Sequence, residues 1–167
     1  MTRIFGTALI SFLLMSCSAL PEALRLSKTV ELLPYDEVGD MDLAPTNHQA
    51  LWGGVIANTV NYSDRTRLEV IFFPLNEKGK PLTDKESLGR FRVYAGDFKD
   101  PYVYRPGRLV TVLGTLGIRE TGYVGQYPYD YTVLHSLEMH LWLKEKPMPV
   151  PVSIERYLPL PSEFSSF

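Results

Sequence analysis

A pair of adjacent glycines inside a long apolar segment constrains the fold of this chain more than any other feature. Residues 49–60 predict a long β-strand, and Gly53 and Gly54 lie in its middle. Glycine within a strand marks a bulge or a sharp bend, where a sheet has to curl. After a turn at 61–64, residues 65–73 alternate apolar and polar side chains. This second segment therefore predicts a half-buried strand antiparallel to the first.

Three further strands are predicted, at 88–94, 108–118 and 131–142. The second of these is apolar on both faces and is expected to be central. In the last one, alternation predicts a shared face for five side chains: Val133, His135, Leu137, Met139 and Leu141.

Five such strands between residues 48 and 143, one of them bent, favour a small closed barrel, because closure leaves no exposed sheet edge. We interpret the fold as all-β, a five-stranded antiparallel barrel of the oligonucleotide/oligosaccharide-binding (OB) type, with a β-sandwich as the second choice.

The composition agrees with strands joined by tight turns, since the chain has 10 Tyr, 8 Phe, 13 Pro and 12 Gly. Residues 17–47 are interpreted as a tether and an extended arm, with a short helix at 21–28 and with Val30, Leu32 and Leu33 packed on the barrel. Residues 144–167 form a Pro-rich tail that cannot make a regular helix. A bland extended or disordered tail and a Pro-rich ligand for a partner both stay open.

The N-terminus predicts export. Residues 4–15 are an apolar run after Arg3, too short to cross a hydrocarbon core that needs about 20 apolar residues. They fit the apolar part of a secretory signal. Leu14, Ser16 and Cys17 resemble the signal of bacterial lipoproteins, an aliphatic residue and two small ones before a cysteine, and Met15 departs from it. An uncleaved anchor, or an ordinary signal cleaved near Ala19, are the alternatives.

Cys17 is the only cysteine of the chain, so no intramolecular disulfide can form. The resemblance implies removal of residues 1–16 and attachment of three acyl chains at Cys17. Each buried methylene contributes about 0.8 kcal/mol, so detachment from a membrane should be negligible. Ser18 follows instead of Asp, which by resemblance to the enterobacterial sorting rule implies the outer membrane.

A basic and aromatic barrel face is the candidate binding site. Arg65, Arg67, Arg90 and Arg92 flank neighbouring strands, beside Tyr94 and the loop residues Tyr62, Tyr102 and Tyr104. Barrels of this type bind extended polymers through such groups. The hypothesis is an envelope glycan, a peptidoglycan fragment or a partner peptide, and ordinary solvated arginines are the alternative. A net charge of −2 gives no electrostatic argument for nucleic acid.

No catalytic residue, metal site or cofactor is predicted. His135 and His140 differ in parity along their strand and are expected on opposite faces, and His140 with Glu138 suggests no more than a surface hydrogen bond. The acidic segment 36–42 lacks the bidentate Glu of a calcium loop. No nucleophile or phosphate-binding motif occurs, so an enzymatic function is not expected.

Several segments together resemble one family. They are residues 51–56, 68–75, 89–90, 110–115 and 127–129, in this order, after the signal ending at Cys17. They are similar to the Slp-type, starvation-lipoprotein-like outer-membrane lipoproteins of Gram-negative bacteria, over roughly residues 14–143. The tail after Lys146 departs from the longer, aromatic-rich ending of some members. The resemblance implies a lipid-anchored, periplasm-facing protein of starvation or stress conditions, without an enzymatic mechanism.

Overall fold

The computed structural model describes residues 20–25, 30–38 and 48–143. Five strands close into a barrel in the order β1-β2-β3-β5-β4. They are β1 (Gln49–Asn61), β2 (Thr66–Phe72), β3 (Arg90–Ala95), β4 (Leu109–Val124) and β5 (Tyr127–Leu141). All neighbours are antiparallel except β3 and β5, which are parallel. The predicted all-β, five-stranded OB-like barrel is confirmed, and the parallel pair is the point where it differs from a fully antiparallel one.

The glycine pair lies where β1 is shared between its two neighbours. Gly54 pairs with Phe72 of β2 on one side and with Val110 of β4 on the other. A Cβ atom on Gly54 would collide with the carbonyl of Ile71, so only glycine permits this close approach. The register break itself comes slightly later, between Ile56 and Asn58.

The barrel interior is filled with apolar side chains from all five strands. Its members share near-complete burial and alternate along their strands: Trp52, Ile56, Leu68, Val70, Phe91, Val93, Val110, Val112, Leu116 and Leu134. The barrel interior of the described residues is therefore an apolar core.

The face assigned to β5 differs from the prediction. Leu134 packs in the core, whereas Val133 is not a member of the core cluster and His135 is exposed. The ladder to β4 then shifts register between Leu113 and Gly114, and the additional residue, Leu137, is 54% exposed. A bulge of this kind reverses the alternation that follows it.

Beyond the bulge, Met139 and Leu141 pack against the core. His140 alternates with them and therefore lies on the outer side of the barrel, as His135 does. The prediction that these two histidines occupy opposite faces was wrong, because the bulge between them is not visible in the alternation of the sequence.

The arm before the barrel closes one of its mouths. The ring of Tyr35 stacks on Phe72 with centroids 4.1 Å apart and meets Trp52 edge-on at 5.1 Å. The indole Nε1 of Trp52 donates a 3.0 Å hydrogen bond to the carbonyl of Leu33, and Val38 is buried in the same core. Leu33 therefore packs as predicted, while Val30 is exposed.

The helix predicted at 21–28 is a single 3₁₀ turn, Glu22–Leu24, with Leu24 fully buried. A second 3₁₀ turn spans Asp36–Val38. The signal with Cys17, the rest of the acidic segment 36–42 and the tail 144–167 lie outside the described residues. Within the described ranges, we find no helix with the length and apolar character that crossing a membrane requires.

We expect Tyr35→Ala to lower the free energy of unfolding by roughly 3 to 5 kcal/mol, because it empties an aromatic cluster in the barrel mouth. Urea unfolding measures the change. The matched control is Tyr102→Ala, at a side chain that is 80% exposed, with an expected change within about 0.5 kcal/mol. Equal effects of the two substitutions would contradict the packing of Tyr35 as an essential part of the core.

The same residue predicts sensitivity to alkaline pH. Burial, followed by the neighbouring Tyr129 hydroxyl, raises the pKa of Tyr35 well above its usual range. A raised pKa means that the neutral phenol stabilises the folded state fully below the unfolded pKa of about 10, and that this stability is lost as the pH rises further.

In Tyr35→Phe, the loss of stability between about pH 9 and pH 11 should be shallower than in the wild type. Burial also raises the pKa of Tyr94 and of Tyr131, so some slope remains. Tyr102→Phe corrects for the removal of one phenol, and an unchanged slope in Tyr35→Phe would overturn this prediction.

Candidate functional site

The predicted binding face lies on the outer side of β2 and β3, and carboxylates neutralise the arginines at its centre. Cross-strand register places Glu69 of β2 opposite Arg92 of β3, and Arg67 opposite Tyr94. Glu120 approaches from the β4–β5 hairpin. We call Arg67, Glu69, Arg92 and Glu120 the Arg92 cluster. Its two positive and two negative charges cancel.

Arg92 is the centre of this cluster. Its Nη1 lies 3.1 Å from Oε2 of Glu120, and its Nη2 lies 3.3 Å from Oε1 of Glu69. The Glu69 oxygen also lies 3.6 Å from Nη2 of Arg67. Only 8% of the Arg92 side chain and 12% of the Glu69 side chain are exposed. Arg92 is therefore a largely buried cation that is neutralised by carboxylates of this same chain.

The β4–β5 hairpin covers Arg92 from outside. The guanidinium carbon lies 4.1 Å from the centroid of the Tyr131 ring, a distance at which cation and ring attract each other. A Cβ atom on Gly122 would collide with the guanidinium group. Glycine at this position therefore allows the hairpin to close over the strands.

The electrostatic environment agrees with these contacts. Burial alone would lower the pKa of Arg92, but the hydrogen bond and charge of Glu120 and the charge of Glu69 raise it above its usual range. The hydroxyl of Tyr94 donates a 2.8 Å hydrogen bond to Oε2 of Glu120. Burial and then this hydrogen bond raise the pKa of Tyr94.

The predicted site residues Arg65, Arg67, Arg90, Arg92 and Tyr94 lie in three different settings. Arg67, Arg92 and Tyr94 are engaged with Glu69 and Glu120. Arg65 is exposed, and its guanidinium carbon lies 4.9 Å from the Tyr94 ring and 5.9 Å from the Tyr62 ring.

Arg90 is half-buried at the other end of β3. Its backbone N–H donates to the Tyr129 hydroxyl at 2.8 Å, and its carbonyl accepts a hydrogen bond from the Tyr35 hydroxyl at 3.0 Å. Tyr102 and Tyr104 lie apart from this face, in the β3–β4 connection. Binding by the predicted face stays a prediction.

The sequence alone did not identify the groups that cover this face, the carboxylates of Glu69 and Glu120 and the ring of Tyr131. Glu69 carried a usable signal, because it alternates with apolar residues on the same strand as Arg67. Glu120 and Gly122 had none, since β4 was expected to end at 118 and extends to Val124. Tyr131 was expected at the start of the last strand, but no pattern in the sequence indicated that its ring lies over Arg92.

Among the described residues, no group of three or more His, Cys, Asp and Glu side chains is arranged to hold a metal ion. His135 stacks on Tyr94 at 5.9 Å, and His140 contacts the Trp142 ring at 4.5 Å.

Comparison with known proteins identifies the family. The family model described as the outer membrane lipoprotein Slp family matches residues 14–164. This chain belongs to the outer membrane lipoprotein Slp family. The match confirms the resemblance and extends it beyond residue 143, so most of the Pro-rich tail lies within the family's common region.

Three relatives show the similarity of this Slp-family protein to proteins of Escherichia coli and Haemophilus influenzae. The outer membrane protein Slp of Escherichia coli (strain K12) is 28% identical over 134 residues, covering 80% of this chain and 71% of that protein. An uncharacterized protein of Haemophilus influenzae is 32% identical over 140 residues, covering 83% and 75%. The uncharacterized lipoprotein YeaY of E. coli is 28% identical over 135 residues, covering 79% and 68%.

Solved structures show distant similarity to the barrel. A small single-stranded DNA-binding protein from Streptomyces coelicolor gives a TM-score of 0.37 at 12% identity, covering 59% of this chain and 96% of that one. The mitochondrial single-stranded DNA-binding protein Rim1 from S. cerevisiae gives 0.36 at 13%, covering 59% and 97%. Similarity at this level carries no information about what the Slp-family barrel binds.

We expect Arg92→Ala to lower the free energy of unfolding by roughly 3 to 5 kcal/mol, because it removes the nearer of the two guanidinium groups at the buried Glu69 carboxylate and breaks a largely buried ion pair. Arg65→Ala is the matched control, since Arg65 lies on the exposed part of the same face, and its effect should stay within about 0.5 kcal/mol. Urea unfolding of both variants distinguishes a structural cation from a surface one, and equal effects would contradict the closed face.

Proposed function

We propose that this Slp-family protein is a non-catalytic lipoprotein of the outer membrane. Acyl chains on Cys17 hold it there, its barrel faces the periplasm, and it serves envelope structure or adaptation to starvation and stress. Family membership, the signal ending at Cys17 and the Ser18 that follows it support this assignment.

One structural observation carries the proposal: the chain joins the barrel almost immediately after Cys17. The Leu20 side chain lies against Gly79, where a Cβ atom would be 2.7 Å from its Cδ2. Leu24 is completely buried. Three residues reach at most about 10 Å, so a lipid on Cys17 would hold the barrel close to the membrane surface.

The filled architecture supports a structural role. Tyr35 closes one mouth of the barrel, apolar side chains fill the interior, and the β4–β5 hairpin covers the outer face of β2 and β3. The titratable groups of the Arg92 cluster neutralise one another, which suits a permanent scaffold better than a site that exchanges protons.

Cys17→Ser is the direct test of anchoring. We expect the wild type to incorporate labelled palmitate and to sediment with outer membranes, while Cys17→Ser stays unlabelled and appears in the periplasmic fraction or accumulates unprocessed. A Cys17→Ser variant that still matured normally and sedimented with outer membranes would contradict the lipid anchor.

Ser18→Asp is the matched control for sorting. It should keep the palmitate label and move the protein to the inner membrane, so it separates lipidation from destination. Protease added to intact cells should leave the wild type uncut, and permeabilising the outer membrane should expose it. Digestion in intact cells would place the barrel on the outer surface of the cell instead.

Two arginines outside the Arg92 cluster favour a second candidate function, binding of an envelope glycan or peptide. Arg65 lies over the Tyr62 and Tyr94 rings outside the Arg92 cluster, and Arg90 is half-buried. Crosslinking in intact envelopes should compare the wild type with Arg65→Glu/Arg90→Glu, which leaves the ion pairs of Arg92 in place. Identical crosslinked partners in both would reject binding by this face.

A further inference from the structure

A cavity of about 450 Å³ lies on the side of the barrel, between the β2–β3 connection and the end of β5. Its apolar lining includes Val55, Leu82, Leu109, Trp142 and Leu143. This volume lies in the range of roughly 300 to 1,000 Å³ that is usual for small-molecule sites. Leu143 is 87% exposed.

The cavity wall also contains a cation that has no carboxylate partner among the described residues. Nη2 of Arg108 donates a 2.9 Å hydrogen bond to the carbonyl of Trp142, and Nη1 donates one of 3.3 Å to the carbonyl of Val103. Its Nε is buried and has no hydrogen-bond partner among the described residues. Lys80 and Asp84 line the cavity as well, and Asp84 is exposed and forms no ion pair with Arg108.

Arg108 differs from Arg92 in the partners of its terminal nitrogens. Two carboxylates neutralise Arg92, whereas only the dipoles of two carbonyls face the terminal nitrogens of Arg108. A half-buried charge beside apolar walls favours an anion that brings its own apolar surface.

The cavity adjoins the place where the tether reaches the barrel. Leu20 contacts Gly79, and the next residue, Lys80, lines the cavity. The Thr111 hydroxyl donates a 2.6 Å hydrogen bond to the Gly79 carbonyl and accepts one of 2.9 Å from Nε1 of Trp142. These bonds hold the β2–β3 connection, the tether contact and the cavity wall together.

We infer that this cavity binds a single-chain anionic amphiphile, that is, one alkyl chain with a carboxylate or phosphate head. The head pairs with Arg108, and the chain lies along Val55, Leu109 and Trp142. A bilayer close to the cavity would supply such a ligand, and this closeness rests on the proposed lipid anchor at Cys17. The cavity and its charge do not depend on it.

The test uses the mature chain from residue 17 with Cys17→Ser, which carries no acyl chain of its own. Laurate and dodecyl phosphate are titrated below their micelle concentrations, by calorimetry and by tryptophan emission. The chain has two tryptophans. Trp52 is 2% exposed in the core, so an early response in the emission reports on Trp142.

We expect both probes to bind with one-to-one stoichiometry, and inorganic phosphate and dodecyltrimethylammonium not to bind. Laurate binding better than dodecyl phosphate indicates a fatty acid as the natural source, and the reverse order indicates a single-chain phospholipid. Absence of binding by both probes, or equal binding of the cationic amphiphile, would overturn the inference.

Leu143→Glu places a negative charge at the cavity without touching the core, and it should weaken binding by at least about tenfold through repulsion of the head group. Ile118→Glu is the matched control, because Ile118 is also exposed and lies far along β4. Equal affinity of the two variants would contradict this location. Because the chain used here carries no lipid, the binding result does not depend on the anchoring test. The amphiphile site and the lipid anchor can therefore each fail while the other holds.

Discussion

Arg92 is a largely buried cation that is paired with carboxylates of the same chain. The arrangement of the outer side of the barrel depends on this burial and pairing. A buried guanidinium is tolerated only when charge and hydrogen bonds replace the lost water. Glu69 supplies one carboxylate from the neighbouring strand, and Glu120 supplies the other from the β4–β5 hairpin. The hairpin therefore has to fold back over β2 and β3, and Gly122 gives it the room to do so.

At the barrel mouth, apolar packing rather than ion pairing holds the elements together. Tyr35 brings its ring onto Phe72 and Trp52, while its hydroxyl keeps a hydrogen bond to the carbonyl of Arg90. The arm that follows the tether is thereby part of the core. In the described part of the chain, the outer face pairs the buried Arg92 with two carboxylates, whereas Arg108 is a half-buried cation whose terminal nitrogens bond to backbone carbonyls.

The sequence predicted the strands well, because apolar alternation and turn residues are local signals. All five strands, the special place of Gly53 and Gly54, and the packing of Leu33 could be predicted in this way. The alternation fails at Leu137, where a bulge reverses the faces and brings His135 and His140 to the same side. A bulge depends on the partner strand, so one strand alone does not reveal it.

The site was harder to predict for the same reason. Alternation placed Arg90 and Arg92 together on the face opposite Phe91 and Val93, as expected. The surroundings of Arg90 and Arg92 differ because of the β4–β5 hairpin, which is distant from both in sequence. No local pattern predicts that Glu120 and Tyr131 reach Arg92. Charge counted along a strand therefore overestimated how basic this face is.

A double-mutant cycle between Glu69→Gln and Arg92→Gln tests the closed face most directly. The free energies of unfolding of the wild type, both single variants and the double variant give the coupling energy of the pair. We expect a coupling of about 1 to 3 kcal/mol that persists in roughly 1 M salt, since buried pairs are screened weakly. A coupling near zero, or one abolished by salt, would mean that the face is open to solvent and would contradict the account.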